Sequence, residues 1–492
     1  MSNDVNASNG LGVNNSLSVK KDYDIAIIGA GPAGMSAALV AAESGAAVVI
    51  LDDKLRPGGQ IYRNVTQSPL QNPEVLGVDY VKGQALVARF EQSSIDKFFG
   101  ASVWHVGDNG EILFSHASET KRLTAREIII SCGAMERPFP IKGWHLPGVM
   151  SAGSAQVMLK NDGLVKDNAV FVGTGPLLYL IVAQYLRLGV KVKAVVDTTP
   201  VSAYKRALPL MFSALPHFKM LLKGVGLLNE IRKSGTPVYR SASKVAIEGE
   251  GEATAVSFYA NGQMLCMAAE HVFLHQGVIP NLNMTRSIGL KHYWCEQQLC
   301  WKPELDQWCE SSVSSIAVAG DCSGIVGADG SEDMGKLAAI QRIYRLGLIS
   351  RQERDERAKS PQRRLSSFNA FRRFIDRMYQ PIKQHRVPVD DQVVVCRCEE
   401  QTVAQLKSGF VGGGSGPEEL KGLTRCGMGP CQGRQCGHTV SELLADWREE
   451  RVDKVGYYRM RSPMRLLNLA ELSLFTQVES KGTSGQESQH EN

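Results

Sequence analysis

An α/β fold is expected from three motifs. A glycine-rich turn, Gly29-x-Gly31-x-x-Gly34, separates an apolar run from an alanine-rich stretch, and a near-copy follows at Gly173-x-Gly175. Two thiol pairs, Cys396/Cys398 and Cys426/Cys431, lie toward the C-terminal end. The glycine motifs predict two Rossmann-like dinucleotide-binding units on parallel strands, and the thiols predict a small metal-binding unit after them. A chain of 492 residues with 43% hydrophobic and 21% charged content is globular in composition and long enough for two or three domains. Its formal charge of +5 is too small at this length for nucleic acid to be the main partner.

The first 20 residues are rich in Asn, Ser and Gly and lack the apolar core of a secretory signal, and the tail from Lys481 is equally polar. Both are expected to be disordered. The most apolar long stretch, 169–186, carries a glycine turn and so is expected to be buried structure rather than a membrane span. A thiol-rich chain without a signal is expected in the cytoplasm, with peripheral association at the inner membrane left open.

Asp24 to Ile28 suits a strand buried on both faces, and Val48 to Leu51 suits a second, ended by Asp52 and Asp53. Gly29 permits the tight turn, Gly31 lets backbone amides reach a pyrophosphate, and Gly34 lets helix and strand pack closely. The phosphates then meet free N–H groups at the helix N-terminus, and Asp52 is placed to accept from ribose hydroxyls. In the second unit Gly173 and Gly175 match, but Leu178 takes the third glycine's place and would push the helix away from its strand. Asp197 is the candidate ribose acid there. The unit either binds a nucleotide such as NAD(P) or only maintains the fold.

Two further segments carry a resemblance. LTAREIIISCG (123–133) reads as a buried strand entering a glycine turn, and SSVSSIAVAGD (311–321) as a buried strand ending at Gly320-Asp321. Together with the two glycine turns they resemble the flavoprotein oxidoreductases that have two dinucleotide-binding domains. The resemblance implies an FAD domain interrupted by an NAD(P)-type domain. It implies FAD contacts at Gly29, Gly31, Pro32, Ala33, Gly34, Asp52, Asp53, Gly59, Gln60, Gly133, Gly320 and Asp321. Ser131 and Cys132 depart from the Ala-Thr that usually precedes Gly133. An Asp at position 321 offers two oxygens to ribityl hydroxyls, the plainer alternative being a helix N-cap. No Cys-x-x-Cys pair occurs before residue 396, so disulfide exchange is not expected, and Cys132, Cys266 and Cys322 read as isolated, buried thiols.

Four thiolates at Cys396, Cys398, Cys426 and Cys431 suit a [2Fe–2S] cluster, with surrounding glycines freeing amides to face sulfur. Zinc is the rival, and Cys-x-Cys spacing counts against it. The stretch resembles the small helical bacterioferritin-associated-ferredoxin-like domain. Cys436 falls outside the ligand pattern, as a packed thiol or a group that supports the ligands, and His438 reads as a surface histidine. Between the flavoprotein and the cysteines, Phe368, Phe371, Phe374, Ile375 and Met378 recur at helical spacing in an arginine-rich segment. That helix is expected to dock the cluster domain or a partner. The organisation is therefore a terminus at 1–21, an FAD domain at 22–150 and 272–348, a second unit at 151–271, a linker helix at 349–390, a [2Fe–2S] domain at 391–460, and an extension at 461–492.

PGGQIYR (57–63), CGAMERPFPIKGWHLPGVM (132–150) and FLHQGVIPN (273–281), followed by the cysteine domain, resemble the larger flavoprotein subunit of heteromeric amine dehydrogenases. That group comprises opine oxidase, D-hydroxyproline or proline dehydrogenase, and hydrogen cyanide synthase. What it implies is oxidation of a C–N bond to an imine, with electrons leaving through iron–sulfur to an acceptor such as quinone. A smaller partner subunit, with its own FAD or FMN, carries the substrate site, so no catalytic acid or base is assigned in this chain. The alternatives are a self-sufficient NAD(P)H-dependent reductase that feeds electrons through the cluster, and a redox sensor or assembly module without turnover.

Overall fold

The computed structural model describes residues 22–473. The segments expected to be disordered, 1–21 and the tail from Lys481, lie outside the described residues. The strand Asp22–Ile28 pairs in parallel on both sides, with Ile27 opposite Ile50 of Val48–Asp52 and opposite Ile129 of Glu119–Ile130. A strand flanked on both edges and covered on both faces must be apolar along its length, which accounts for its run of branched residues. Asp96–Phe99, an antiparallel edge of Ser102–Val106 and Glu111–His116, and Ile316–Val318 complete a seven-stranded sheet. Helices Pro32–Glu43 and Gly327–Arg345 pack almost backbone to backbone, because a Cβ on Gly335 would lie 2.1 Å from the carbonyl oxygen of Ala33.

The second unit is a five-stranded parallel sheet in the order Val238–Tyr239, Val192–Asp197, Ala169–Gly173, Val272–His275, Val149–Ser151. Val272–His275, expected in the first domain, and Val149–Ser151, which straddles the expected boundary, thus belong to the second sheet. An antiparallel meander over residues 243–268 is attached to this unit. The chain crosses between the units twice, and the crossings pair antiparallel, Ile279 opposite Met135. Leu178 does sit where a third glycine would be, and it is fully buried at the start of helix Pro176–Arg187.

The arginine-rich segment forms helix Arg351–Met378, its first turn capped by the Ser350 hydroxyl accepting from the Glu353 N–H at 3.2 Å. Its apolar stripe does not dock the cysteine domain. Phe368, Phe371, Phe374, Ile375 and Met378 instead pack against Ala207, Leu210, Ala214 and Leu221 of the second unit. The cysteine domain is seated by a different device, the hairpin His292–Cys295/Cys300–Pro303. Its Trp294 and Trp301 join Val395, Leu406, Leu443 and Leu444 in one core. Spacing read the helix's buried stripe correctly, but what that stripe meets is set by tertiary structure. The described part of the extension returns to the first sheet, where Thr120 Oγ1 donates to the Glu471 carbonyl at 2.7 Å. Among the described residues no helix is long and apolar enough to cross a membrane.

Candidate functional site

One cavity of about 1100 Å³ runs between the two units. At its floor the first glycine turn is built as its spacing requires. Gly29 takes φ +106°, and a Cβ there would meet the Ser131 carbonyl oxygen at 2.4 Å. A Cβ on Gly34 would lie 1.8 Å from the Gly29 carbonyl oxygen, so only glycine lets the helix start this close to the strand. Gly31 ends the turn with no side-chain cap on the first helical amides, which leaves them for an anion. The Pro57–Arg63 loop closes over this turn, with the Gly59 and Gly31 backbones in contact. This cradle fits a dinucleotide.

The structure brings Gly29, Gly31, Pro32, Ala33, Asp52, Asp53, Gly59, Gln60, Gly133, Gly320 and Asp321 to this cavity. Gly34 lies behind it in the helix–strand contact. Asp52 accepts from the Ala30 N–H at 2.6 Å and the Lys54 N–H at 2.8 Å, and burial pushes its carboxyl up to about 6. Asp321 is not the N-cap residue of helix Gly327–Arg345, which is Val326, but its Oδ1 accepts from the Val326 and Gly327 N–H groups at 2.8 and 2.9 Å. Among the described residues that is the only engaged oxygen of its carboxylate, so these bonds and the ribityl reading are compatible.

The second set is not gathered in this way. Of Gly173, Gly175 and Asp197, only Gly175 lines the cavity. A Cβ on Gly173 would meet the His275 carbonyl oxygen at 1.8 Å, a packing role. Asp197 is 3% exposed and accepts from the Thr199 N–H at 2.9 Å, and burial raises its carboxyl. These positions serve the fold whether or not a nucleotide binds.

Sequence reading missed three features of the wall. Glu136 and His275 stand on the two crossing segments and meet at 2.7 Å, while the other Glu136 oxygen accepts from the Gly153 N–H at 2.6 Å. Both lie in the quoted segments AMERPFP and FLHQG, but a pair 139 residues apart is invisible to local pattern. Cys132 and Cys322 are not isolated, because the Cys322 thiol lies within hydrogen-bond reach of Cys132, which raises it, as does burial. Cys266 is exposed rather than buried.

The third feature is Lys160, 3% exposed, whose ammonium donates to the carbonyls of Gln60 and Ile61 at 2.9 Å each. Burial, with Arg63 nearby, brings it down from 10.5 to about 7. Below about pH 7 folded and unfolded chains both carry this proton, and above 10.5 neither does. Between those limits the unfolded chain holds the proton more tightly, so stability rises with pH. Denaturation across that range is expected to show the rise in wild type and to lose it in Lys160→Met.

Five thiols converge in the C-terminal domain. The Sγ atoms of Cys396, Cys426 and Cys436 all lie within 4.8 Å of one another. Cys398, exposed, and Cys431, half-buried, are within each other's hydrogen-bond reach, and Cys431 feels Cys396. Cys436, expected to pack beside the ligands or to support them, therefore lies in contact with two of the expected ligands. Hydrogen bonds from Cys426 and Cys436 hold Cys396 down to about 2, helped by the Gly427 N–H. The bond to Cys396 is the largest cause pushing Cys426 up to about 12. Added Cβ atoms on Gly427 and Gly433 would lie 2.8 and 2.7 Å from the Tyr458 ring, whose hydroxyl reaches the Cys426 sulfur at 3.4 Å. An all-sulfur set with aimed amides fits an iron–sulfur cluster. His438 is not a surface residue: it is 3% exposed, edge-on to the Tyr457 ring and tilted toward that of Trp294. Arg434 and Gln435, between Cys431 and Cys436, line the large cavity.

The family described as pyridine nucleotide-disulphide oxidoreductase matches residues 23–342. An opine oxidase subunit of Agrobacterium tumefaciens is 38% identical over 464 residues, covering 92% of this chain and 91% of that protein. A hydrogen cyanide synthase subunit of Pseudomonas aeruginosa is 29% identical over 453 residues, covering 89% of this chain and 96% of that protein. L-Proline dehydrogenase from P. horikoshii superposes with a TM-score of 0.69 at 17% identity, over 92% of this chain and 80% of that one, a likeness of fold. With its dinucleotide cradle and these relatives, the chain belongs to the pyridine nucleotide-disulphide oxidoreductase family, in the branch that contains this opine oxidase subunit.

Proposed function

We propose that this chain is the FAD- and [2Fe–2S]-containing subunit of a heteromeric dehydrogenase. The complex oxidises the C–N bond of an amine or amino acid, of opine, proline or glycine type, to an imine. Electrons leave through the cluster to an acceptor such as quinone. The observation that carries this reading is the shared wall: Arg434 and Gln435, flanked by cluster thiols, face the cavity that holds Gly31, Asp52 and Asp321. FAD takes up two electrons together and releases them singly, which suits a carrier between a two-electron donor and a one-electron cluster. In this chain Gly31 and the free helix amides would hold the pyrophosphate, Asp52 the ribose and Asp321 the ribityl chain. Cys396 and Cys398, with two of Cys426, Cys431 and Cys436, would hold the cluster.

The relatives supply the heteromeric element, since opine oxidase and hydrogen cyanide synthase are both named by subunit. The substrate site belongs to a smaller flavin-containing subunit, where the amine need only be held neutral with its α C–H toward the flavin. No acid or base of this chain is required for that step.

Copurification with the partner is expected to give flavin and about two irons per chain. Under anaerobic conditions one member of an amino-acid panel should bleach the flavin of the complex but not of this chain alone. Zinc with no flavin would overturn the reading, and rapid bleaching of the isolated chain by NADH would favour the reductase alternative. Cys396→Ser is expected to reduce iron from about two per chain to near zero while flavin remains. The same measurement on serine variants of Cys426, Cys431 and Cys436 identifies the two that complete the set.

A further inference from the structure

The segment Val201–Lys233 holds three helices, Val201–Ala207, Met211–Ala214 and Phe218–Lys233, joined by turns at Pro209 and Pro216. One side of it is covered by helix Arg351–Met378 through Ala207, Leu210, Ala214 and Leu221. A second side is covered where Leu227 and Ile231 of Phe218–Lys233 pack on helix Pro176–Arg187, and the outward side is exposed. Of the 26 exposed large apolar residues among the described residues, eleven fall between Val201 and Leu228. They include Phe212 at 75%, Val225 at 62% and Leu222 at 61% exposure. A Cβ added to Gly224 or Gly226 would meet nothing within 4 Å. Scattered exposed apolar groups need no explanation, but this density marks an interaction face.

Charge selects the occupant. From Thr198 to Asn229 the sequence holds no Asp or Glu, while Lys205, Arg206, His217, Lys219 and Lys223 are interspersed with the apolar residues. Acids border this stretch rather than enter it: Asp79 pairs with Lys223, and Glu230, next along the same helix, pairs with Arg187. Exposed Phe, Tyr and Leu side chains among acid-free lysines match a bilayer interface carrying anionic headgroups. Protein–protein interfaces are instead depleted in lysine, and here Lys205 and Lys219 stand inside the apolar row.

We infer that residues 201–228 form an anionic-lipid-binding face that seats this chain on a membrane surface. Proximity to a lipid-soluble acceptor would follow only if the quinone reading above holds. Vesicle binding does not depend on that reading.

The full chain is tested by cosedimentation with vesicles of phosphatidylcholine alone and of phosphatidylcholine mixed with phosphatidylglycerol. Wild type is expected to pellet with the mixed vesicles, to remain largely soluble with phosphatidylcholine alone, and to be released by salt. The triple variant Phe212→Ser/Phe218→Ser/Leu222→Ser should lower vesicle partitioning about tenfold or more, and Lys205→Glu/Lys219→Glu about tenfold. All five side chains are exposed, so bound flavin and thermal midpoint should not change. Wild type that stays in solution at low salt, or a triple variant that pellets like wild type, overturns the proposal. Self-association of wild type that the triple variant abolishes would assign the face to a second copy. Binding by the chain but not by the heteromeric complex would assign it to the partner. Either result also overturns the proposal.

Discussion

Alanine at Gly34 is expected to give a chain that no longer retains flavin. The added methyl would sit 1.8 Å from the Gly29 carbonyl oxygen and 2.7 Å from the Ser131 hydroxyl. The first of these is backbone in the turn itself and has no rotamer by which to yield. Relief requires the helix to withdraw from the strand, which opens the turn and misdirects the amides above it. Overpacking of this kind costs about 1–3 kcal/mol in an ordinary core, and a contact under 2 Å to backbone lies at the upper end or beyond. Flavin absorbance per chain after gel filtration is expected to fall at least about tenfold, as a loss of about 1.4 kcal/mol or more in binding requires. Gly224→Ala is the matched control, since its Cβ meets nothing. In a helix interior that change should stabilise by about 0.5–1 kcal/mol with flavin unchanged.

Loss of Arg342 should produce the largest fall in stability. Its side chain is fully buried and forms ion pairs with Glu127 at 2.5 Å and Glu310 at 2.6 Å. It also donates to the Ser314 carbonyl at 2.6 Å. The guanidinium therefore ties helix Gly327–Arg345 to the central strand Glu119–Ile130 and to the approach to Ile316–Val318. Removing one partner of a buried ion pair strands the other charge without water, a cost of about 3–5 kcal/mol. Arg345 still reaches Glu127 at 2.9 Å but from the half-exposed rim, so it only partly replaces the lost charge. Chemical denaturation of Arg342→Met should show this loss. The double variant Arg342→Met/Glu127→Gln should lose less than the sum of the two single changes, because the stranded carboxylate is gone. Additivity would mean that the pair is not coupled.

What was legible in the sequence follows the range of the interactions concerned. The first cradle was readable because its glycines, strand and acid act within about one βαβ unit. Gly320-Asp321 was readable because a strand end and a carboxylate are also local. The Glu136–His275 pair, the Cys132–Cys322 contact and the insertion of Lys160 beneath the Gln60 loop each join distant segments. No spacing rule reaches them. His438 was misjudged, and the place of Cys436 beside the other thiols was left open, for a related reason. Ligand spacing was counted along the chain, whereas helix Gly437–Trp447 turns Cys436 back onto Cys396 and carries His438 inward. The linker helix shows both sides of the matter, because periodicity identifies the buried stripe and cannot name its neighbour.

That helix has a mechanical consequence. Two crossing strands, side by side, form a swivel about which one nucleotide unit could turn against the other. Arg351–Met378 spans the swivel as a strut. Arg364 holds Asp333 of the first unit, the phenylalanines grip the second, and Asp376 accepts from Gln297 and Gln298 beside the cysteine domain's hairpin. Rotation would have to free the helix either from the apolar grip of the second unit or from both Asp333 and the hairpin. One helix thus braces both nucleotide units and the hairpin on which the cysteine domain is seated.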